Sequence, residues 1–200
     1  SRARIEVADI GNVEIQPNSR VKLVGTNPKQ HRLSLEHGIL QAQIAAPPRL
    51  FIVDTPSAVA VDLGCAYKLE VDKRGNSYLH VTSGLVALER GGRESIVLAG
   101  AMCITKRGKG LGTPFSAEAS EKFRAALHRF DFSNGGSRAV ETMLDNRSFY
   151  DMITLWHLLS RVKKVDRAKV LDALASYVAL PSDVTREGIL ALDKKMLTSW

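Results

Sequence analysis

Cysteine is scarce in this 200-residue chain, where only Cys65 and Cys103 occur. Two thiols cannot build a disulfide framework, and without C-x-x-C spacing they offer neither a cysteine zinc site nor a dithiol redox motif. They read as small buried thiols, since cysteine is among the most buried residue types. Both fall in strand-like sequence, so a bridge between neighbouring strands stays open. Long apolar runs are also missing: no stretch of roughly 18 apolar residues could span a bilayer, and no signal peptide is recognisable. The chain opens on Ser1 rather than methionine, and is expected to be an excised or processed soluble region of a longer protein.

Acidic and aromatic residues are both in short supply. Twenty-one Asp and Glu face 28 Lys and Arg, leaving a net charge of +7. The excess is dispersed, with small clusters at Lys106-Arg107-Lys109, Arg161-Lys163-Lys164 and Lys194-Lys195. A nucleic-acid stripe would gather its basic residues on one element beside an aromatic platform, and aromatics make up only 6% of the chain. No nucleic-acid partner is therefore expected, while a basic face turned to anionic lipid headgroups stays open.

Catalytic signatures are absent as well. His31, His37, His80, His128 and His157 are scattered, with no H-E-x-x-H and no close metal-binding pair. There is no G-x-S-x-G elbow, and Ser57, between Pro56 and Ala58, has no neighbour in sequence to activate it. Gly108-Lys109-Gly110-Leu111-Gly112 lacks the residue order of a phosphate-binding loop. Asp54 and Asp62 flank the Thr55-Pro56 corner and are expected to cap turn amides. The competing reading is a carbohydrate-binding or enzymatic site assembled in space from Asp54, Asp62 and a histidine. No catalytic, cofactor-binding or metal-binding residue is assigned, and the chain is not expected to be an enzyme.

What the sequence does hold is a division in two. Up to Thr105 the apolar residues come in strand-length runs, many of them alternating as in Tyr67-x-Leu69-x-Val71. The runs are Ile5–Ile10, Val13–Ile15, Val21–Val24, Leu33–Leu35, Ile39–Ile44, Leu50–Val53, Val59–Leu63, Tyr67–Val71, Tyr78–Val81, Leu85–Leu88 and Ile96–Leu98. An apolar residue is followed three positions later by glycine at Leu35/Gly38, Val61/Gly64, Val81/Gly84 and Val97/Gly100. Such glycines suit corners where a backbone must approach its neighbour closely, in a coiled, solenoid-like β-structure or equally in a two-sheet sandwich with bends.

Residues 106–115 shift to Gly, Lys and Pro without apolar period and predict a linker. Beyond them the period is helical. Phe123, Leu127 and Phe130 form one stripe, Met152, Leu155, Trp156 and Leu159 a second, and Val170, Leu171, Leu174, Tyr177 and Val178 a third. A last helix carries Ile189, Leu190, Met196 and Leu197. The expected class is thus α+β: a β-domain over 1–105, a linker over 106–115 and a small helical bundle over 116–200. Trp156 and Trp200 are expected to be core or interdomain anchors, and losing a buried Trp156 would cost about 3 kcal/mol or more.

The segment Leu50-Phe51-Ile52-Val53-Asp54-Thr55-Pro56-Ser57-Ala58-Val59-Ala60-Val61-Asp62-Leu63-Gly64-Cys65-Ala66-Tyr67, followed by Val81-Thr82-Ser83-Gly84-Leu85-Val86-Ala87-Leu88 and Val97-Leu98-Ala99-Gly100, resembles the FecR family. That family's pattern runs V-x-T-P-x-A, G-T-x-F-x-V, V-x-x-G-x-V-x-V, L-x-x-G, and the match covers roughly Val13 to Met102. Gly64-Cys65-Ala66-Tyr67 departs from the usual glycine, threonine and phenylalanine, and the helical tail is not the family's usual ending. The resemblance implies a coiled β-rich periplasmic domain tethered to the inner membrane by an upstream transmembrane helix. It implies a non-enzymatic sensor or signal relay for a sigma factor, acting through contact with an envelope protein such as a transporter signalling domain. A purely structural envelope protein is the further alternative.

Overall fold

In the computed structural model, residues 2–27 and 29–200 are described. The chain divides into two units, Ser1–Ala117 and Glu118–Trp200.

The first unit is one sheet of eleven strands among the described residues. These are β1 (Ala3–Val7), β2 (Gly11–Ile15), β3 (Arg20–Asn27), β4 (Gln30–Ile44), β5 (Phe51–Asp54), β6 (Val59–Val71), β7 (Ser77–Arg90), β8 (Arg93–Leu98), β9 (Ala101–Lys106), β10 (Gly110–Leu111) and β11 (Phe115–Ser116). The main path runs β1-β2-β4-β5-β6-β7-β9-β10, with β3 on β4, β8 on β7, β11 on β9, and a further β4–β6 pairing. Every pair is antiparallel except β4–β5. The solenoid-like coil expected from the glycine spacing would stack its turns as parallel pairs. Here the glycines bend strands within an antiparallel sheet instead, and its two path ends, β1 and β10, do not pair with each other.

Three strands are long, and each spans two of the apolar runs in the sequence. Strand β4 pairs with β3 and β5 along its first half, and with β2 and β6 along its second. Strand β7 pairs with β9 first and with β8 afterwards. Between the halves the side chains that face the core change parity. Leu33 and Leu35 point inward before Gly38, and Leu40, Ala42 and Ile44 after it. Ala58 and Ala60 give way to Cys65, Tyr67, Leu69 and Val71 across Gly64, and Leu79 and Val81 to Val86 and Leu88 across Gly84. An extra residue in a strand moves every later side chain to the other face. One bent sheet can therefore wrap a single core from both halves of each long strand.

The bends need glycine for two reasons. Gly84 has φ +71°, and a Cβ there would stand 2.0 Å from the Gly64 carbonyl oxygen. Gly38 has φ +100°, and its missing Cβ leaves room for Ser19, whose hydroxyl accepts from the Ile39 amide at 2.9 Å. Only glycine meets both the left-handed backbone and the close approach.

Where the sequence predicts a linker over 106–115, the chain stays in the sheet. Gly110 and Leu111 pair back onto Lys106 and Thr105, and Phe115 and Ser116 onto Met102 and Ala101. The glycines there make a tight turn, closed by the Lys109 amide on the Lys106 carbonyl at 3.0 Å. The division between the units falls after Ala117.

The second unit holds α1 (Glu121–Phe132), α2 (Gly136–Asp145), a 3-10 turn (Phe149–Asp151), α3 (Met152–Leu159), α4 (Lys164–Ala175), α5 (Arg186–Leu190) and α6 (Lys194–Ser199). Side-chain caps start the helices at Ser120, Thr185 and Asp193, each accepting from an amide three residues on, which satisfies donors that a helix start leaves open. The core takes Phe123, Leu127, Val140, Met143, Leu155, Leu158, Leu159, Val170, Leu171, Leu174 and Ile189. Phe130 is only half-buried, and Phe132 takes the buried place. The single last helix expected at the end is two, because Leu192 adopts φ +60° between them. Arg167 ties the unit together, its guanidinium donating to the carbonyls of Leu159 at 3.0 Å and Leu190 at 2.7 Å.

Candidate functional site

The Thr55-Pro56 corner joins β5 to β6. The Thr55 amide closes it on the Ala58 carbonyl at 2.8 Å, and the Thr55 hydroxyl accepts from the Ala58 amide at 3.0 Å. Beneath the corner lies a buried set of hydroxyls. Ser57 Oγ is 2.5 Å from Ser77 Oγ and 2.6 Å from Thr105 Oγ1, and Ser77 donates to Thr55 at 2.9 Å. The cluster clasps the β5–β6 corner to the first residue of β7 and to β9. Ser57 thus has hydroxyls as partners, and through them it joins the corner to strands β7 and β9.

The two aspartates are held apart by different partners. Arg32 grips Asp54 with two hydrogen bonds of 2.7 Å from Nε and Nη2. Asp62 is buried at the β6 bend, where it accepts from the Gly64 amide and from Cys65 Sγ, both at 2.7 Å. Burial raises the Asp62 carboxyl above its ordinary value, against the lowering effect of the hydrogen bonds from Cys65 and Gly64. Burial also pushes the Cys65 thiol up strongly, and the Asp62 carboxylate adds to the shift. Burial likewise raises the Tyr67 phenol, whose hydroxyl has no partner. A thiol so disposed stays protonated near neutrality and is a poor nucleophile. Cys65 and Cys103 are both buried and unbridged.

The histidines do not converge. His31 and His80 lie in β4 and β7, opposite Phe51 and Met102. The His128 ring meets Phe132 at 5.3 Å, and the His157 ring meets Trp156 at 5.0 Å. Trp156 is half-buried rather than a core anchor, with its indole N–H donating to the Leu197 carbonyl at 3.2 Å. Among the described residues no group of three or more His, Cys, Asp or Glu could hold a metal ion.

His37 instead lines a cleft of about 480 Å³ together with Glu36, Pro56, Lys73 and Arg107. Lys73 comes from the β6–β7 turn. Asp72 fixes that turn by accepting from the amides of Arg74 at 2.8 Å and Asn76 at 2.9 Å, and from the Asn76 side chain at 2.8 Å. Arg107 comes from the β9–β10 turn, and its amide donates to Asn76 Oδ1 at 3.2 Å, so the two turns are cross-tied. Glu36 is already engaged by Arg20 at 3.0 Å and by Lys22. A second cleft of about 720 Å³ has Gly11, Ala45, Gly64 and Cys65 among its lining residues. Sequence reading does not find the first cleft, because its residues come from four separated segments; the visible signals are the two glycine-containing turns that carry Lys73 and Arg107.

In the helical unit Phe149 and Tyr150 are 58% and 62% exposed. Their rings form a group with Tyr177, over which Arg147 lies at 5.9 Å. No helix among the described residues is long and apolar enough to cross a membrane.

Comparison with known proteins gives three results. The family model described as FecR protein matches residues 1–87. Two crystal structures of a candidate anti-sigma factor from Parabacteroides distasonis are similar to this chain at 14% and 17% identity. Each comparison covers 64% of this chain and has a TM-score of 0.49, and the chain spans 61% of the length of either structure. No curated protein matches the sequence.

Proposed function

Because the FecR family model matches residues 1–87 of this chain, we propose that it is a regulatory rather than catalytic element that controls a sigma factor through protein contacts. The observation that carries this reading is the family match itself, which takes in β1 to β6 and most of β7. The proposal extends to location and partner. The chain is the periplasmic part of a regulator tethered to the inner membrane by an upstream helix, and it relays the state of an envelope protein such as a transporter signalling domain.

The geometry around the family's T-P corner supports a scaffold role. Thr55, Ser57, Ser77 and Thr105 spend their hydroxyls on one another, and Asp54 and Asp62 are engaged by Arg32 and Cys65. A competing carbohydrate-binding or enzymatic site built from those carboxylates would need to release them from these partners. In-envelope crosslinking of the full-length parent protein tests the relay reading. Recovery of a membrane or signalling partner supports it, and a crosslinked sample holding none sinks it. An alkaline-phosphatase fusion after Trp200 that stays inactive would sink the periplasmic placement.

A further inference from the structure

We propose that the cleft between the β6–β7 and β9–β10 turns is an anion site that takes the carboxylates of an acidic peptide segment on a protein partner. This rests on the relay reading above and assigns it a contact point.

The argument starts from charge. Glu36 is neutralised by Arg20 and Lys22. Among the described residues, neither the Lys73 ammonium nor the Arg107 guanidinium has an acidic partner, so both cations face one cleft uncompensated. An anion placed in the cleft would gain from both charges at once.

Position is the second part. Both cations stand on fixed turns rather than on a loose loop: Asp72 knits the first, and the Arg107 amide on Asn76 joins the second to it. Arg107 also lies along Gly75 and Pro56. A Cβ at Gly75 would come within 3.0 Å of Arg107 Cδ and 3.0 Å of Pro56 Cβ. The stem of Arg107 is thereby supported where the residue lines the cleft, and less freedom is lost when a ligand binds.

Shape decides the occupant. A volume of about 480 Å³ holds a pair of side chains and would be mostly empty around a single inorganic phosphate. Pro56 adds an apolar surface for Asp or Glu methylenes to the lining, and His37, also in the lining, donates from Nδ1 to the Asn18 carbonyl at 3.1 Å. The planar fork of Arg107 matches a carboxylate bidentately, with Lys73 as a point charge beside it.

The test uses the whole chain and a fluorescein-labelled peptide of alternating Glu and Ser, read by anisotropy at low salt. Lys73→Glu/Arg107→Glu is expected to weaken binding at least tenfold, whereas Lys194→Glu/Lys195→Glu, with the same charge change elsewhere, should weaken it less than twofold. Equal weakening by both variants, or no binding by the native chain, overturns the proposal. So does a preference for phosphatidylglycerol vesicles over the peptide that is lost only in the cleft variant. The same cleft variant in the crosslinking experiment separates the two readings. A partner captured equally by native and variant proteins removes the cleft and leaves the relay standing; a partner captured only by the native protein supports both.

Discussion

Ser57 and Thr105 lie 48 residues apart and share a 2.6 Å hydrogen bond inside the β-unit, with both hydroxyls buried. Ser57 is also the bridge to Ser77. Ser57→Ala leaves the Thr105 hydroxyl buried without that partner, and such a loss costs about 1–3 kcal/mol. We expect a lowered guanidinium midpoint with an unchanged slope. A variant that unfolds with the native protein would mean that the cluster does not clasp the corner.

The Asp62 carboxyl predicts a pH dependence of stability. Its value is raised in the folded protein, first by burial, above the roughly 3.9 of an unfolded Asp. A raised acid stabilises the fold fully below the unfolded value, and this contribution is lost as pH rises through the folded value. Asp62→Asn does not titrate. The stability of the variant relative to the native protein should therefore improve between pH 4 and pH 7, read from guanidinium midpoints at both. A difference that stays constant, or moves the other way, refutes the assignment.

Two glycines with similar backbones separate strain from crowding. Gly84 and Gly100 have φ of +71° and +80°, but a Cβ at Gly84 meets the Gly64 carbonyl while one at Gly100 meets nothing within 4 Å. Gly100→Ala should cost only the left-handed conformation, about 1–2 kcal/mol. Gly84→Ala adds a backbone collision and should melt well below it. Equal melting temperatures would show that the bend yields without resistance.

Trp156 gives the fourth prediction. Half-burial means that Trp156→Ala removes less contact than a fully buried aromatic, whose loss costs about 3–5 kcal/mol. Its distinctive contribution is the indole bond to Leu197 in α6. Trp156→Phe should leave the unit folded and speed amide exchange in α6, and unchanged exchange there would show that the bond does not hold the last helix.

The alternating runs made most strands legible, since each half-buried stretch signals itself within five or six residues. They could not reveal that Leu33–Leu35 and Ile39–Ile44 belong to one strand, because the parity change at Gly38 looks like an end. The hairpin of Lys106 to Leu111 was hidden by its own turn residues, which serve a linker equally well. Helix α2 escaped because its inward positions, Ala139, Val140 and Met143, make a short stripe behind two glycines. The FecR-like motif was readable, but not its hydroxyl clasp: Ser57, Ser77 and Thr105 meet only through pairing that no local pattern encodes. The same holds for Lys73 and Arg107, brought together by the neighbouring strands β7 and β9.

The paired bends at Gly64 and Gly84 do one thing that apolar alternation cannot. If β7 slid along β6 by two residues, the side chains within each half of β7 would keep their inward or outward sense, so alternation alone would scarcely object. The slide would bring Thr82 or Val86 to the place now held by Gly84, and a Cβ would collide with the Gly64 carbonyl. The two glycines act as a notch and its tooth, excluding even-numbered misalignments to which the hydrophobic pattern is blind.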